Sequence, residues 1–232
     1  MNNLTQYIKD ELLSHGADLV GIGSLSELPS HVRCGLPIGI CVAVKYPNEV
    51  IRAISYLPTK EYYDQYNRLN EMLDMLVTLG ADLLRTFGYQ AVPQTRAYVE
   101  QFETEYESLL PHKTVATRAG LGWIGKSALL VTEKFGSMIR ISSILTDASL
   151  ETATPINKSK CGECKICTDA CPAGAISGNL WDINVSRDKF FDAAACRKAA
   201  RERAKKGLGI ETTQCGKCIE VCPYTRRYLN GE

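Results

Sequence analysis

Four cysteines fall within eleven residues of this chain, as Cys161-x2-Cys164-x2-Cys167-x3-Cys171 with Pro172 directly after the last. A second group, Cys215-x2-Cys218-x3-Cys222 followed by Pro223, repeats the end of the first. Aligned on the closing Cys-Pro, Cys222 matches Cys171, Cys218 matches Cys167 and Cys215 matches Cys164, while Thr212 stands where Cys161 would be matched. The first run has the spacing of bacterial ferredoxins, in which three thiolates hold one [4Fe–4S] cube and the fourth serves a different cube. Threonine cannot ligate iron as a thiolate does, so the second group is one ligand short. Cys196, between the two runs, is the remaining cysteine in this half of the chain and completes the set. The spacing predicts Cys161, Cys164, Cys167 and Cys222 on one cluster, with Cys171, Cys196, Cys215 and Cys218 on the other. CxxC pairs also build four-cysteine zinc sites, but zinc does not call for the exchange of a fourth cysteine and its proline. Two cubes in one small fold would pass electrons one at a time.

Composition bears on where such thiols survive. With 45% hydrophobic and 23% charged residues the chain is too apolar for a disordered segment and ordinary for a globular one. No run approaches the ~18 apolar residues of a membrane span, and MNNLTQYIKDELLSHG is polar and amphipathic with no signal-peptide core. The expectation is a cytoplasmic protein with no membrane partner, where ten cysteines bind metal rather than form disulfides. A net charge of +1 gives no global attraction to nucleic acid. Cys41, inside the apolar run GICVAVKY, reads as a small buried hydrophobe; Cys34, in HVRCGLP, is not assigned to a site either.

Helical spacing of Leu4, Ile8 and Leu12 ahead of Gly16 predicts a helix over 3–15, and an apolar stripe including Leu69, Leu73, Leu76 and Leu83 predicts another over 59–87. DLVGIGS, GICVAVKY and YQAVP read as strands, and ALLVT and MIRISSILTD as two strands joined by the turn EKFGS. The polar, proline-bearing ETATPINKSK suggests a linker. The fold class is therefore α+β, with a cofactor-binding domain at 1–154 and a cluster domain at 155–232.

RAGLGWIGKS contains GxGxxG at Gly120, Gly122 and Gly125, and GxxxxGK[ST] from Gly120 to Ser127. Both nucleotide patterns require a strand before the loop and a helix after it. Here the polar, helix-like HKTVATRA precedes and the strand-like ALLVT follows, so neither fits. Two readings remain. One is a tight turn burying Trp123; the other is a loop that approaches a flat cofactor, with Gly120, Gly122, Trp123, Gly125 and Lys126 as the cofactor-binding set. RKAARERAKK, Arg197 to Lys206, holds six basic residues and one acidic one. It reads first as a solvated helix face, next as a docking patch for an acidic electron donor, and last as an RNA contact.

The order of these motifs, from RAGLGWIGKSALLVTEKFGSMIRISSILTD through CGECKICTDACPAGAI and Cys196 to CGKCIEVCPY, resembles the epoxyqueuosine reductases. The resemblance implies a nitroreductase-like α/β domain that binds cobalamin, related to reductive dehalogenases, followed by a ferredoxin-like domain with two [4Fe–4S] clusters. It implies an iron–sulfur oxidoreductase that takes low-potential electrons from a donor such as ferredoxin or flavodoxin and passes them to the cobalamin, which reduces a substrate. That family carries a catalytic aspartate in an Asp-x-x-Pro-x-x-Glu-Arg stretch ahead of the glycine loop, and this chain has no such stretch. By ungapped offset the aspartate position falls on Tyr106, between Glu105 and Glu107, in what reads as an exposed acidic helix, so no catalytic residue is assigned. The chain ends at Glu232, where longer members continue into a helical-repeat region that helps hold tRNA. These departures favour a small-molecule or corrinoid-protein acceptor and put tRNA last among partners. They also keep open an electron-transfer or reductive-activation protein with no turnover of its own, and a flavin in place of cobalamin.

Overall fold

The computed structural model describes residues 3–102, 104 and 106–232. Glu105 therefore lies outside the described residues. The helices are α1 (Asn3–Ser14), α2 (Asn48–Ala53), α3 (Lys60–Thr86), α4 (Arg96–Val99), α5 (His112–Arg118), α6 (Ile166–Asp169), α7 (Ala193–Leu208), α8 (Lys217–Glu220) and α9 (Pro223–Asn230). The strands are β1 (Leu19–Ser24), β2 (Ile38–Lys45), β3 (Ala91–Pro93), β4 (Trp123–Ile124), β5 (Leu130–Val131) and β6 (Ile139–Thr146). Among the described residues no helix is long and apolar enough to cross a membrane.

Contacts gather the chain into two compact units, each built from three segments. One comprises Met1–Val44, Leu69–Gly122 and Arg140–Ile156; the other comprises Lys45–Arg68, Trp123–Ile139 and Asn157–Glu232. The division therefore differs from contiguous domains at 1–154 and 155–232, because segments 45–68 and 123–139 belong with the cysteine-rich chain. Their side chains explain it. Tyr46 stacks on Tyr62 at 5.2 Å, Trp123 meets Tyr224 edge-on at 4.9 Å, and Phe135 meets Tyr228 at 4.8 Å. Trp123 and Phe135 are almost completely buried, so these contacts remove large aromatic areas from water.

The first unit is organised by a four-stranded sheet in the order β1-β2-β6-β3. β1 and β2 pair antiparallel with Gly21 opposite Cys41, and β3 pairs antiparallel with β6. Ile40 through Val44 are all buried, as a strand covered on both faces requires. Burial also pushes the Cys41 thiol up, out of reach of ionisation. α1 packs on β1 through Ile8 and Leu12 and is closed at Gly16 by Ala17 N–H donating to the Leu12 carbonyl at 3.0 Å.

ALLVT and MIRISSILTD do not form one hairpin. β5 pairs back onto β4, Trp123 opposite Val131, in a sheet of its own, whereas β6 lies in the four-stranded sheet. The EKFGS turn does form, closed by Thr132 N to Gly136 O at 2.9 Å and Gly136 N to Thr132 O at 3.0 Å. The turn Gly125–Ala128 competes for β5 from the other side and wins, because that pairing buries Trp123.

Candidate metal centre

Two Cys-Gly-x-Cys turns frame the cysteine-rich unit. In the first, Cys164 N–H donates to the Cys161 carbonyl at 3.2 Å, with Gly162 at φ 52°; in the second, Gly216 takes φ 73°. Each turn leads into one helical turn, α6 carrying Cys167 and α8 carrying Cys218, and the two pack against each other. Cys222 is the N-cap of α9 with Pro223 at its first position, a placement suited to a residue whose own N–H is not needed. Cys196 sits in the first turn of α7, which Asp192 caps by accepting from Ala195 N–H at 2.9 Å.

Among the described residues the ten cysteines form no disulfide. Burial pushes Cys167 up to about 11, and the charges of Cys161, Cys222 and Cys164 add to it. Cys196 is likewise pushed up to about 11 by burial and then by Cys171 and Cys215. Burial raises Cys222, with Cys161 adding, while the N–H groups of Thr225 and Tyr224 oppose. Cys218 is raised by burial, then by Cys215, Cys196, Cys167 and Cys171. Thiols that feel one another electrostatically thus include Cys161, Cys164, Cys167 and Cys222 in one neighbourhood and Cys171, Cys196, Cys215 and Cys218 in another, with Cys218 also sensing Cys167. Repulsion of this kind is relieved when bound cations deprotonate the thiols.

A cavity of about 210 Å³ is lined by Cys161, Cys164, Cys167, Cys218, Cys222, Lys126 and Tyr224, among others. Among the described residues no three His, Cys, Asp or Glu side chains gather closely enough to hold a single metal ion. The glycine loop contributes to this cavity unevenly. Gly125 and Lys126 line it, and a Cβ added at Gly125 would lie 3.6 Å from Cys161 Sγ. Trp123 is buried beside Tyr224. Gly120 and Gly122 lie in the other unit, where a Cβ on Gly120 would stand 3.0 Å from the Thr154 carbonyl oxygen. Helix α5 precedes the loop, β4 lies within it and β5 follows it, so neither nucleotide pattern has its strand and helix.

Sequence patterns did not indicate Lys160, Tyr224 or Glu220. Glu220 is 1% exposed and takes ion pairs from Lys217 Nζ at 2.9 Å and from the Arg226 guanidinium. It ties α8, which carries Cys218, to α9, which Cys222 caps. The only sequence signal was a carboxylate three residues after Lys217. Tyr106 and Glu107 are exposed and neither is helical; Thr104 N–H donates to the Glu107 carbonyl at 2.8 Å.

In the first unit, His112 Nδ1 lies 2.8 Å from Ser143 Oγ. Arg140 Nε donates to Asn70 Oδ1 at 3.0 Å, leaving Asn70 Nδ2 buried with no acceptor. Burial, then the Arg140 charge, push His112 down to about 4. Unfolding returns it to about 6.5, so between those values the unfolded chain binds the proton that the folded chain refuses. Stability is fully present above pH 6.5, falls as the pH drops and levels off below 4. Discounted for partial exposure, the loss is roughly 2 kcal/mol. Urea unfolding of wild type and His112→Gln at pH 7 and pH 4.5 checks this: the variant is expected to lose less stability on acidification.

Residues 160–225 match the family described as the 4Fe-4S double cluster binding domain. The chain is also 32% identical over 154 residues to the epoxyqueuosine reductase of Listeria monocytogenes, covering 62% of this chain and 36% of that one. Over that stretch the chain is similar to the epoxyqueuosine reductases. It spans little more than a third of that reductase's length. Among solved structures, an epoxyqueuosine reductase with an epoxyqueuosine-modified tRNA-Tyr stem loop superposes with a TM-score of 0.62 at 19% identity, covering 97% of this chain and 66% of that one. A catabolic reductive dehalogenase in complex with 3-bromo-4-hydroxybenzoic acid superposes with a TM-score of 0.73 at 20% identity, covering 97% and 33%. At such identities the likeness is one of fold.

Proposed function

We propose that the chain is an iron–sulfur reductase in which Cys161, Cys164, Cys167 and Cys222 hold one [4Fe–4S] cluster and Cys171, Cys196, Cys215 and Cys218 hold the other. The observation that carries this is geometric: cysteines of both runs, Cys161, Cys164 and Cys167 of the first and Cys218 and Cys222 of the second, line one cavity, and α6 packs against α8. Thiols spread around a cavity suit an extended cluster better than a zinc ion bound at ~2.3 Å. When bound, the clusters supply one-electron transfer and a corrinoid supplies a reducing cobalt centre. The protein's part is to hold the thiolates, keep water from the cavity with Tyr224 and Val131, and place the electron path. Cobalamin has the support of a structural neighbour, a reductive dehalogenase described by B12-dependent dehalogenation; the nitroreductase-like domain is what the sequence resemblance implies. Asn70 Nδ2, a buried donor without an acceptor, suits a ligand rich in amide oxygens.

Anaerobic purification followed by iron, sulfide and cobalt analysis tests the reading. About eight irons per chain, with EPR signals from two clusters, and retention of added cobalamin through gel filtration are expected. Bound zinc in place of iron rejects the clusters, and failure to retain cobalamin rejects the corrinoid. The missing Asp-x-x-Pro-x-x-Glu-Arg stretch favours a second reading, an electron carrier or reductive activase for a partner such as a corrinoid protein. Turnover of epoxyqueuosine in tRNA, driven by a chemical reductant, would decide for the reductase.

A further inference from the structure

We infer that Lys126 is a buried cation that positions and tunes the cluster held by Cys161, Cys164, Cys167 and Cys222, an inference that rests on the two-cluster reading above. Lys126 follows β4 and Gly125, and only 4% of it is exposed. Its Nζ donates to the carbonyl of Cys164 at 2.8 Å, and the residue lines the cavity into which these four thiols and Cys218 open. Among the described residues it forms no ion pair. An ammonium taken out of water is costly unless an anion or several acceptors compensate it. One carbonyl is a partial answer; the thiolate-ligated cluster beside it supplies the anionic charge.

Lys160 provides an internal contrast. It lines the same cavity, yet its side chain is 50% exposed and its Nζ lies 2.6 Å from Glu133 Oε1. Water and a carboxylate screen its charge, whereas the Lys126 charge is screened by neither.

Two consequences follow. The bond to Cys164 O fixes the Cys161–Cys164 turn, which sets where two of the four sulfurs point. And because reduction adds negative charge to the cluster, an adjacent buried cation favours the reduced form and raises the midpoint potential. The lysine that the sequence offers as a handle for a flat cofactor serves an anion made of the protein's own sulfurs.

The test is an anaerobic redox titration of the iron-loaded chain followed by EPR, comparing wild type with Lys126→Met, Lys126→Gln and Lys160→Met. Gln keeps a donor for the Cys164 carbonyl but removes the charge, so it separates tuning from folding. In both Lys126 variants one cluster is expected to need a lower potential, its reduced-to-oxidised ratio at fixed potential falling about tenfold, ~59 mV for one electron. The second cluster should move less, and Lys160→Met should leave both nearly where they were. Unshifted midpoints in Lys126→Gln overturn the inference, as does an equal shift in Lys160→Met. Failure of both Lys126 variants to assemble iron makes the lysine structural and overturns tuning as well. A wild-type chain with no iron sinks the two-cluster reading itself, a different result from any of these.

Discussion

Removing Cys161 and Cys222 together should cost the chain one cluster, whereas removing Cys215 and Cys222 together should cost it both. In the crossed arrangement Cys161 and Cys222 serve the same cube, so Cys161→Ala/Cys222→Ala leaves Cys171, Cys196, Cys215 and Cys218 intact and about four irons bound. Cys215→Ala/Cys222→Ala takes one ligand from each cube and should leave neither. If each run instead held its own cluster, the outcomes would be reversed, since 215 and 222 lie in one run and 161 and 222 in two. Cys196→Ala combined with Cys215→Ala should again leave one cluster, which places the lone cysteine of α7 with the second group. Iron per chain and the EPR signals of the reduced protein read the result. Both double variants retaining the same iron would sink the crossed assignment.

The proposed cluster ligands are read from covalent spacing: Cys161, Cys164 and Cys167 are only a few residues of chain apart. The missing partner at Thr212 exposed Cys196 by arithmetic. Local periodicity also located α1, α3, β1 and β2 to within a residue or two. What the sequence did not reveal depends on partners far along the chain. Trp123 to Ile139 joins the cysteine-rich unit because Trp123 and Phe135 bury themselves on Tyr224 and Tyr228, roughly ninety to a hundred residues away. The partner of β5 was missed for another reason: β4 lies a short way upstream, inside the stretch read as a glycine loop. The basic run of α7 shows the same limit at the surface. Arg203 donates to the Tyr56 carbonyl and Lys205 lies 3.5 Å from Glu211, so the six charges are not one uninterrupted solvated patch. The GxxxxGK pattern lacked its context in the sequence and lacks it in the fold: α5 rather than a strand leads into the loop, and Lys126 donates to the Cys164 carbonyl.

Gly136→Ala should be among the most damaging single changes outside the ligands. The residue holds φ 57°, which costs an L-residue ~1 kcal/mol. A Cβ there would lie 2.3 Å from Thr225 N, 2.4 Å from its Oγ1 and 2.7 Å from its Cα. Two of those atoms are backbone in the first turn of α9, so relief requires the helix itself to move, an overpacking cost of about 1–3 kcal/mol. The hydrogen bond from Ser137 N–H to Thr225 Oγ1, 3.2 Å, would go with it, leaving a buried donor and adding ~1 kcal/mol. The sum is about 4 kcal/mol, a large part of the ~5–15 kcal/mol that holds a domain. Gly209 is the matched control: it has φ 72° at the end of α7 with nothing within 4 Å of an added Cβ. Gly209→Ala should therefore cost only the backbone contribution, ~1 kcal/mol. The displacement would also be felt chemically, because Thr225 lies three residues from Cys222, the N-cap of the shifted helix. Denaturant unfolding of both variants gives the energies. EPR should show the cluster of Cys161, Cys164, Cys167 and Cys222 lost first in Gly136→Ala; equal destabilisation by the two substitutions would mean that backbone strain, not the contact with α9, makes the glycine necessary.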